Sequence, residues 1–116
     1  MNRPTVVVEL GPCRRHAEAL LGTEGRESFA DFIARTPYAG AIIEGTGGLR
    51  KVRWSQPGTG KRGGVRIICY AHAPESPIYL FTVYDKSSVD DRSSEQMAAL
   101  RLLLDGLKAE LRTRGW

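Results

Sequence analysis

The chain has 116 residues, of which 41% are hydrophobic and 26% are charged. This length predicts a single domain over residues 1–116, and the apolar fraction excludes a disordered polyelectrolyte. The aliphatic run from Val6 to Val8 is far shorter than the about 20 residues that a membrane helix needs, and no signal-type segment is evident. We therefore expect a cytoplasmic protein with no membrane partner.

The formal net charge of +4 is concentrated in the middle of the chain. Residues 41–86 carry seven basic and three acidic residues and hold the whole excess, whereas the two flanking regions are each balanced. Six of these basic residues lie between Gly45 and Pro74, in a stretch that has no acidic residue. A concentrated single-sign stretch favours an anionic partner, and phosphate is the leading candidate.

The N-terminal third of the chain predicts one strand and two helices. Residues Thr5 to Leu10 include the β-branched run that is typical of a strand. One helix is predicted from Pro12 to Leu21, with Gly22 as its end. A second helix is predicted from Glu24 to Arg35, and Pro37 ends it.

The rest of the chain predicts an antiparallel meander and a final helix. Strands are predicted over residues 49–54, 64–71 and 78–84, separated by a glycine-rich loop over 56–64 and a turn over 74–77. Ser93 and Gln96 form a capping box, and Met97 begins an apolar stripe that ends at Leu111 and that we expect to pack in the core. The predicted class is α+β, with two helices before a small antiparallel sheet and one helix after it.

Several kinds of catalytic or metal site are not expected. His16 and His72 have no cysteine or acid at metal-ligand spacing, so the sequence does not predict a zinc site. No paired carboxylates occupy the basic region, which argues against a two-metal nuclease. Cys13 and Cys69 are expected to be reduced thiols, and Cys69 reads as a small buried apolar residue.

The basic residues of the middle region form the most suggestive set. Alternation places Lys51 and Arg53 on one face of a strand, and hairpin pairing returns Arg66 beside them. Lys61 and Arg62 lie in the glycine-rich loop, which lacks the residues that a nucleotide-binding phosphate loop requires. Cations so grouped can hold a phosphate and neutralise charge in a transition state. From composition alone, a solvated or merely RNA-binding face remains the alternative.

Three segments together resemble the HigB branch of the RelE-like toxins, which are the toxin halves of type II toxin–antitoxin pairs. The matching stretches are residues 45–53 (GTGGLRKVR), 58–68 (GTGKRGGVRII) and 79–86 (YLFTVYDK). They fall within residues 45–86, in the family's order and at fitting spacing.

The resemblance implies a RelE-like fold and a ribosome-dependent endoribonuclease. Members of this family enter the ribosomal A site and cut mRNA there, which stops translation. The 2′-hydroxyl attacks the adjacent phosphorus and leaves a 2′,3′-cyclic phosphate, so the protein supplies positioning and charge stabilisation. The resemblance implies no metal and no other cofactor.

The resemblance also implies residue roles and partners. Lys51, Arg53, Arg66 and Lys86 match basic residues of the family's catalytic site, and Arg66 matches the arginine that binds the scissile phosphate. The residues expected to contact RNA or the ribosome are Arg50, Lys61, Arg62 and Tyr84. The expected partners are the ribosome with its mRNA and an antitoxin of the HigA type with a helix-turn-helix domain. The free toxin is expected to be a monomer.

The sequence departs from the family pattern after Lys86, where it offers neither the C-terminal tyrosine nor the histidine that supports proton transfer. Tyr84, Tyr70 and His72 are the candidate substitutes, although none stands at the matching position. Two other functions therefore stay open. One is inhibition of DNA gyrase, as in the ParE branch. The other is a decayed toxin that binds only its antitoxin or ribosomal RNA.

Overall fold

The computed structural model describes residues 6–55, 64–85 and 94–116, which form two helical elements and five strands. In chain order these are β1 (Val7–Glu9), α1 (Gly11–Arg35), β2 (Ala41–Ile42), β3 (Arg50–Trp54), β4 (Val65–Ala71), β5 (Ile78–Asp85) and α2 (Ser94–Thr113). The predicted α+β class is confirmed. No helix among the described residues is long and apolar enough to cross a membrane.

The five strands form one mixed sheet in the order β1-β5-β4-β3-β2. The predicted meander of β3, β4 and β5 is confirmed, since each neighbouring pair is antiparallel. The prediction of an antiparallel sheet is wrong at one edge, because β1 pairs in parallel with β5. The chain passes from β1 through α1, β2, β3 and β4 before β5 begins, and such a long connection permits parallel pairing.

The N-terminal helical region, α1, consists of two helices that are joined at a kink with no loop between them. Gly22, where the first helix was expected to end, has φ 72° and ψ 174° inside the element and breaks its helical path. Glycine adopts this conformation without the steric cost that a Cβ brings. The sequence therefore placed the break correctly, but no separate loop divides the two halves.

A short edge strand, β2, was not predicted. Ala41 pairs with Lys51 and Ile42 with Arg50. Gly40, just before the strand, has φ 88°, and a Cβ built there would lie 2.5 Å from the carbonyl oxygen of Lys51. The close approach of two backbones at Gly40 therefore positions this edge of the sheet.

The sheet is covered on both faces. On one face the apolar side of α1 packs on residues of the meander, and this α1 layer includes Cys13, Phe29, Ile33, Ile67 and Val83. On the other face α2 packs with Leu104 and Leu111 on a second group, and this α2 layer includes Leu49, Ile68, Tyr70, Tyr79, Phe81 and Tyr84. The predicted core role of the leucine stripe is confirmed.

A β-bulge in β5 decides which residues reach each layer. Ile68 pairs with Thr82, but the next residue, Cys69, pairs with Leu80, so Phe81 is the extra residue. Phe81 consequently joins the α2 layer although Val83, two residues on, belongs to the α1 layer. Because the extra residue is in β5, the alternation of β4 is unbroken.

A partly buried ion pair connects β1 to the helical region. Arg26 donates from Nε to Glu9 Oε2 at 3.0 Å, and a second nitrogen, Nη2, donates to the other oxygen of Glu9. Its Nη1 donates to Glu18 at 2.7 Å, on the far side of the break at Gly22. The hydrogen bonds that Arg26 donates to Glu9, and after them the one that it donates to Glu18, raise the pKa of Arg26. Arg26 therefore holds both halves of α1 against the edge strand.

Both cysteines are free thiols and both are buried, as the sequence predicted for Cys69. Burial, with a smaller contribution from Glu9, raises the pKa of Cys13 to about 12. Burial also raises the pKa of Cys69. At neutral pH both thiols are protonated and chemically quiet.

The Gly40→Ala substitution is expected to lower the free energy of unfolding by more than about 2 kcal/mol, because the new Cβ meets backbone at positive φ. Gly11→Ala is the matched control, since its Cβ meets nothing within 4 Å. That control should change stability by less than about 1 kcal/mol. Urea denaturation measures both, and equal losses would contradict the assigned close approach.

Alkaline pH is expected to destabilise the protein through Cys13. Its ordinary pKa is about 9 and its folded pKa is about 12. The stabilisation is therefore complete below pH 9 and is lost as the pH rises toward 12. Unfolding free energies of the wild type and of Cys13→Ala, measured over this range, should converge as the pH rises. A constant difference would contradict the raised pKa.

Candidate nucleic-acid interface

The predicted basic residues of β3 and β4 lie together on one face of the sheet. Arg53 of β3 lies directly opposite Arg66 of β4, and Arg66 lies opposite Tyr84 of β5. Lys51 lies two residues from Arg53 and is opposite Ile68. Since side chains alternate along a strand, all four project to the face that α2 partly covers. We call Lys51, Arg53 and Arg66 the basic cluster.

The basic cluster is accessible, and no described acidic residue forms a salt bridge with it. Arg53 is exposed, while Lys51 and Arg66 are half-buried. Within residues 6–55, 64–85 and 94–116, none of the three forms a salt bridge. Directly opposed side chains have Cβ atoms about 5 Å apart, and like charges in such a pair repel. An anion placed between Arg53 and Arg66 relieves this repulsion, so the arrangement favours phosphate binding.

Tyr84 lies in the same cross-strand row, but it is only 6% exposed. Its ring belongs to the α2 layer together with Ile68 and Phe81. Tyr84 is therefore part of the core beneath Arg66, and its ring has no exposed face on which an RNA base could stack. Its predicted contact with RNA stays a prediction.

Arg50 is placed away from the basic cluster. It pairs with Cys69, whose side chain is in the α1 layer, so it projects to the opposite face. Its Nη1 donates to the carbonyl oxygens of Tyr38 and Gly40, each at 3.0 Å. Its guanidinium also lies 5.6 Å from the centre of the Tyr38 ring. The structure thus gives Arg50 a local role in fixing the turn before β2.

Three of the predicted site residues, Lys61, Arg62 and Lys86, lie outside the described residues. Asp85, the residue before Lys86, pairs with Val65 at the end of β5. Val65 belongs to the α1 layer, so the strand position of Asp85 is on the face opposite the basic cluster.

Two candidate substitutes for the missing proton-transfer group lie at the other end of β4. Tyr70 is four residues from Arg66, which is about 13 Å along a strand, and His72 is about 20 Å away. The Tyr70 hydroxyl and His72 Nδ1 share a hydrogen bond of 2.7 Å. Both are on the same face as Arg66, yet neither reaches a phosphate that Arg66 binds.

Sequence reasoning missed the contacts that α2 makes beside Tyr70. Lys108 donates to the carbonyl oxygen of Gly47 at 2.6 Å, and its Nζ lies 5.6 Å from the centre of the Tyr70 ring. These residues are separated by tens of positions in the chain, and no local pattern links them. The alternation of β4 does place Tyr70 and Arg66 on one face, so that half of the arrangement was accessible from sequence.

A further missed feature is the aromatic group behind the basic cluster. Trp54 packs edge-on against Phe29, with ring centres 5.1 Å apart, and lies 5.2 Å from Phe32. These contacts anchor the end of β3 to α1. They fix the strand that carries Lys51 and Arg53 without placing an aromatic ring on the basic face.

The chain matches no model of a known protein family. Among the described residues, no group of three or more histidine, cysteine, aspartate or glutamate side chains is arranged to hold a metal ion.

Binding of single-stranded RNA is expected to depend on the basic cluster. Each substitution Arg53→Gln or Arg66→Gln should lower the slope of log affinity against log salt by about 0.7, because one phosphate contact is lost. Fluorescence anisotropy over a series of salt concentrations measures this slope.

The control is Arg15→Gln, which removes the same charge from the exposed side of α1. The Arg15→Gln substitution should leave the slope of log affinity against log salt unchanged. An equal loss in Arg15→Gln and Arg66→Gln would show that RNA senses only net charge, and it would exclude a specific site at the basic cluster.

Proposed function

We propose that this protein is a RelE-like toxin of the HigB branch and a ribosome-dependent mRNA endoribonuclease. The observation that carries the proposal is the direct pairing of Arg53 with Arg66, with Lys51 on the same face. The family resemblance assigns catalytic roles to these three positions, and pairing across two strands brings them to one site.

The geometry supports the metal-independent reaction of this family. Attack of a ribose 2′-hydroxyl on the adjacent phosphorus builds negative charge on the phosphate oxygens. Arg66 holds the scissile phosphate, and its guanidinium offers two parallel N–H donors to two oxygens. Arg53 and Lys51 neutralise the charge that develops. The ribosome holds the mRNA in the orientation that in-line attack requires.

Proton transfer falls to groups close to Arg66. Within the described residues, Lys51 and Tyr84 are the nearby groups that carry a transferable proton. Tyr70 and His72 are too distant for this step. The resemblance assigns a further base, Lys86, to the end of β5.

The element order supports the finer assignment to a RelE-like fold. A first strand, a helical region broken at Gly22, a three-stranded meander and a C-terminal helix follow the family's order. In this assignment the two halves of α1 are the two N-terminal helices of the family. The proposed protein acts as a cytoplasmic monomer, and a helix-turn-helix antitoxin neutralises it by blocking entry to the A site.

Cleavage of mRNA in a cell-free translation reaction tests the proposal. Mapping of mRNA ends by primer extension should show cuts within the reading frame, only when ribosomes are present. Arg66→Ala should lower cleavage at least about 100-fold, since a charge-stabilising donor is worth about 3 kcal/mol in the transition state. Arg15→Ala, on the exposed side of α1, should cleave like the wild type.

Intact mRNA in every reaction would overturn the nuclease. The same protein is then added to a DNA gyrase supercoiling assay. Inhibition there would assign the chain to a ParE-like function, whereas tight ribosome binding without cleavage would indicate a decayed toxin.

A further inference from the structure

A second group of proton donors lies on the same sheet face as the basic cluster, at the other end of β4. It consists of Tyr70, His72, Lys108 and Arg112, and we call it the Tyr70 group. Tyr70 is in β4 and His72 follows the strand, while Lys108 and Arg112 are one turn apart on α2. The strand and the helix therefore meet at this group.

The contacts of the Tyr70 group hold its side chains in place. The Tyr70 hydroxyl is hydrogen-bonded to His72 Nδ1 at 2.7 Å, and their rings are 5.8 Å apart. Tyr70 is buried, whereas His72 is half-buried and retains access to solvent. Lys108 is fixed between the Gly47 carbonyl oxygen, 2.6 Å away, and the Tyr70 ring. Only one of its three N–H donors is used by that carbonyl.

The charges of the Tyr70 group are unbalanced. Burial raises the pKa of the Tyr70 hydroxyl, Tyr38 adds to this effect, and the nearby Arg112 guanidinium opposes it. Lys108 and Arg112 are like charges four residues apart on a helix, a spacing that costs free energy. Within the described part of the chain, neither forms a salt bridge, and Glu110 between them is paired with Arg114 instead. An anion bound beside Lys108 and Arg112 would offset this excess of positive charge.

We propose that the Tyr70 group binds a second backbone phosphate of the RNA strand whose scissile phosphate lies at the basic cluster. This inference rests on the proposed function. Arg66 and Tyr70 are on one face of the sheet and about 13 Å apart along β4. Ile68, between them, is covered by α2, so the RNA chain would pass from the basic cluster over α2, where Arg112 is exposed. An RNA strand is favoured over an acidic peptide because the Tyr70 group lies on the same side of the sheet as Lys51, Arg53 and Arg66. Phosphate contacts of this kind fix register without reading sequence.

The two histidines of the chain give a direct test. In the full-length protein, the imidazole Cε1–H NMR signals of His16 and His72 are followed during titration with a single-stranded RNA. The RNA carries 2′-O-methyl groups, so it binds without being cleaved. The His72 signal should shift, whereas His16, which is exposed on α1, should not. Anisotropy measured in parallel shows whether the RNA is bound.

Arg112→Gln separates a binding role from a structural one. Arg112 is exposed, and its loss should lower the salt slope of RNA affinity by about 0.7 while leaving the fold intact. Arg101→Gln is the matched control on the same helix and should leave the slope unchanged. Lys108 is less suitable because it also holds Gly47.

Each contrary outcome has a defined meaning. If RNA binds through Arg66 and the His72 signal does not move, the second phosphate site is excluded and the proposed nuclease still stands. If a glutamate-rich peptide shifts His72 and RNA does not, the group is a protein-docking surface and the proposal is wrong. If Arg112→Gln and Arg101→Gln lose the same slope, the effect is one of net charge and the site is likewise excluded.

Discussion

Strand β4 is hydrogen-bonded to β3 on one side and to β5 on the other. Its register with these two neighbours therefore decides which residues of the three strands lie opposite one another. A shift of one residue in either pairing would turn every side chain of the shifted strand to the opposite face. The buried residues Ile67 and Ile68 oppose such a shift, because they belong to different layers of the core. The same register that buries them aligns Arg53 with Arg66.

This alignment has an electrostatic cost that bears on function. Two arginines directly opposite each other repel, and Lys51 adds a third charge on the same face. The apolar packing of Trp54 against Phe29 and Phe32 holds β3 in place against that repulsion. The strands therefore already hold the three cations together before an anion arrives, and this lowers the cost of binding it.

The parts of this structure that the sequence predicted are those that depend on local periodicity. Alternation in β3 and β4 gave the shared face of Lys51, Arg53 and Arg66, and Gly22 marked the break in the helical region. The parallel pairing of β1, the strand β2 and the bulge at Phe81 were missed. The partner of β1 lies far away in the chain, β2 is only two residues long, and the bulge is a backbone irregularity that leaves the hydrophobic pattern almost unchanged.

The sequence by itself determined the α+β class, the three-stranded meander, and which basic residues share a face, because these follow from side-chain alternation and from short turns. Only the tertiary structure decided that Arg50 turns away to the carbonyls of Tyr38 and Gly40. It also decided that Lys108 of α2 meets Gly47, 61 residues away in the chain. The physical reason is that a hydrogen bond between distant segments depends on how layers pack, and no local sequence pattern records that packing.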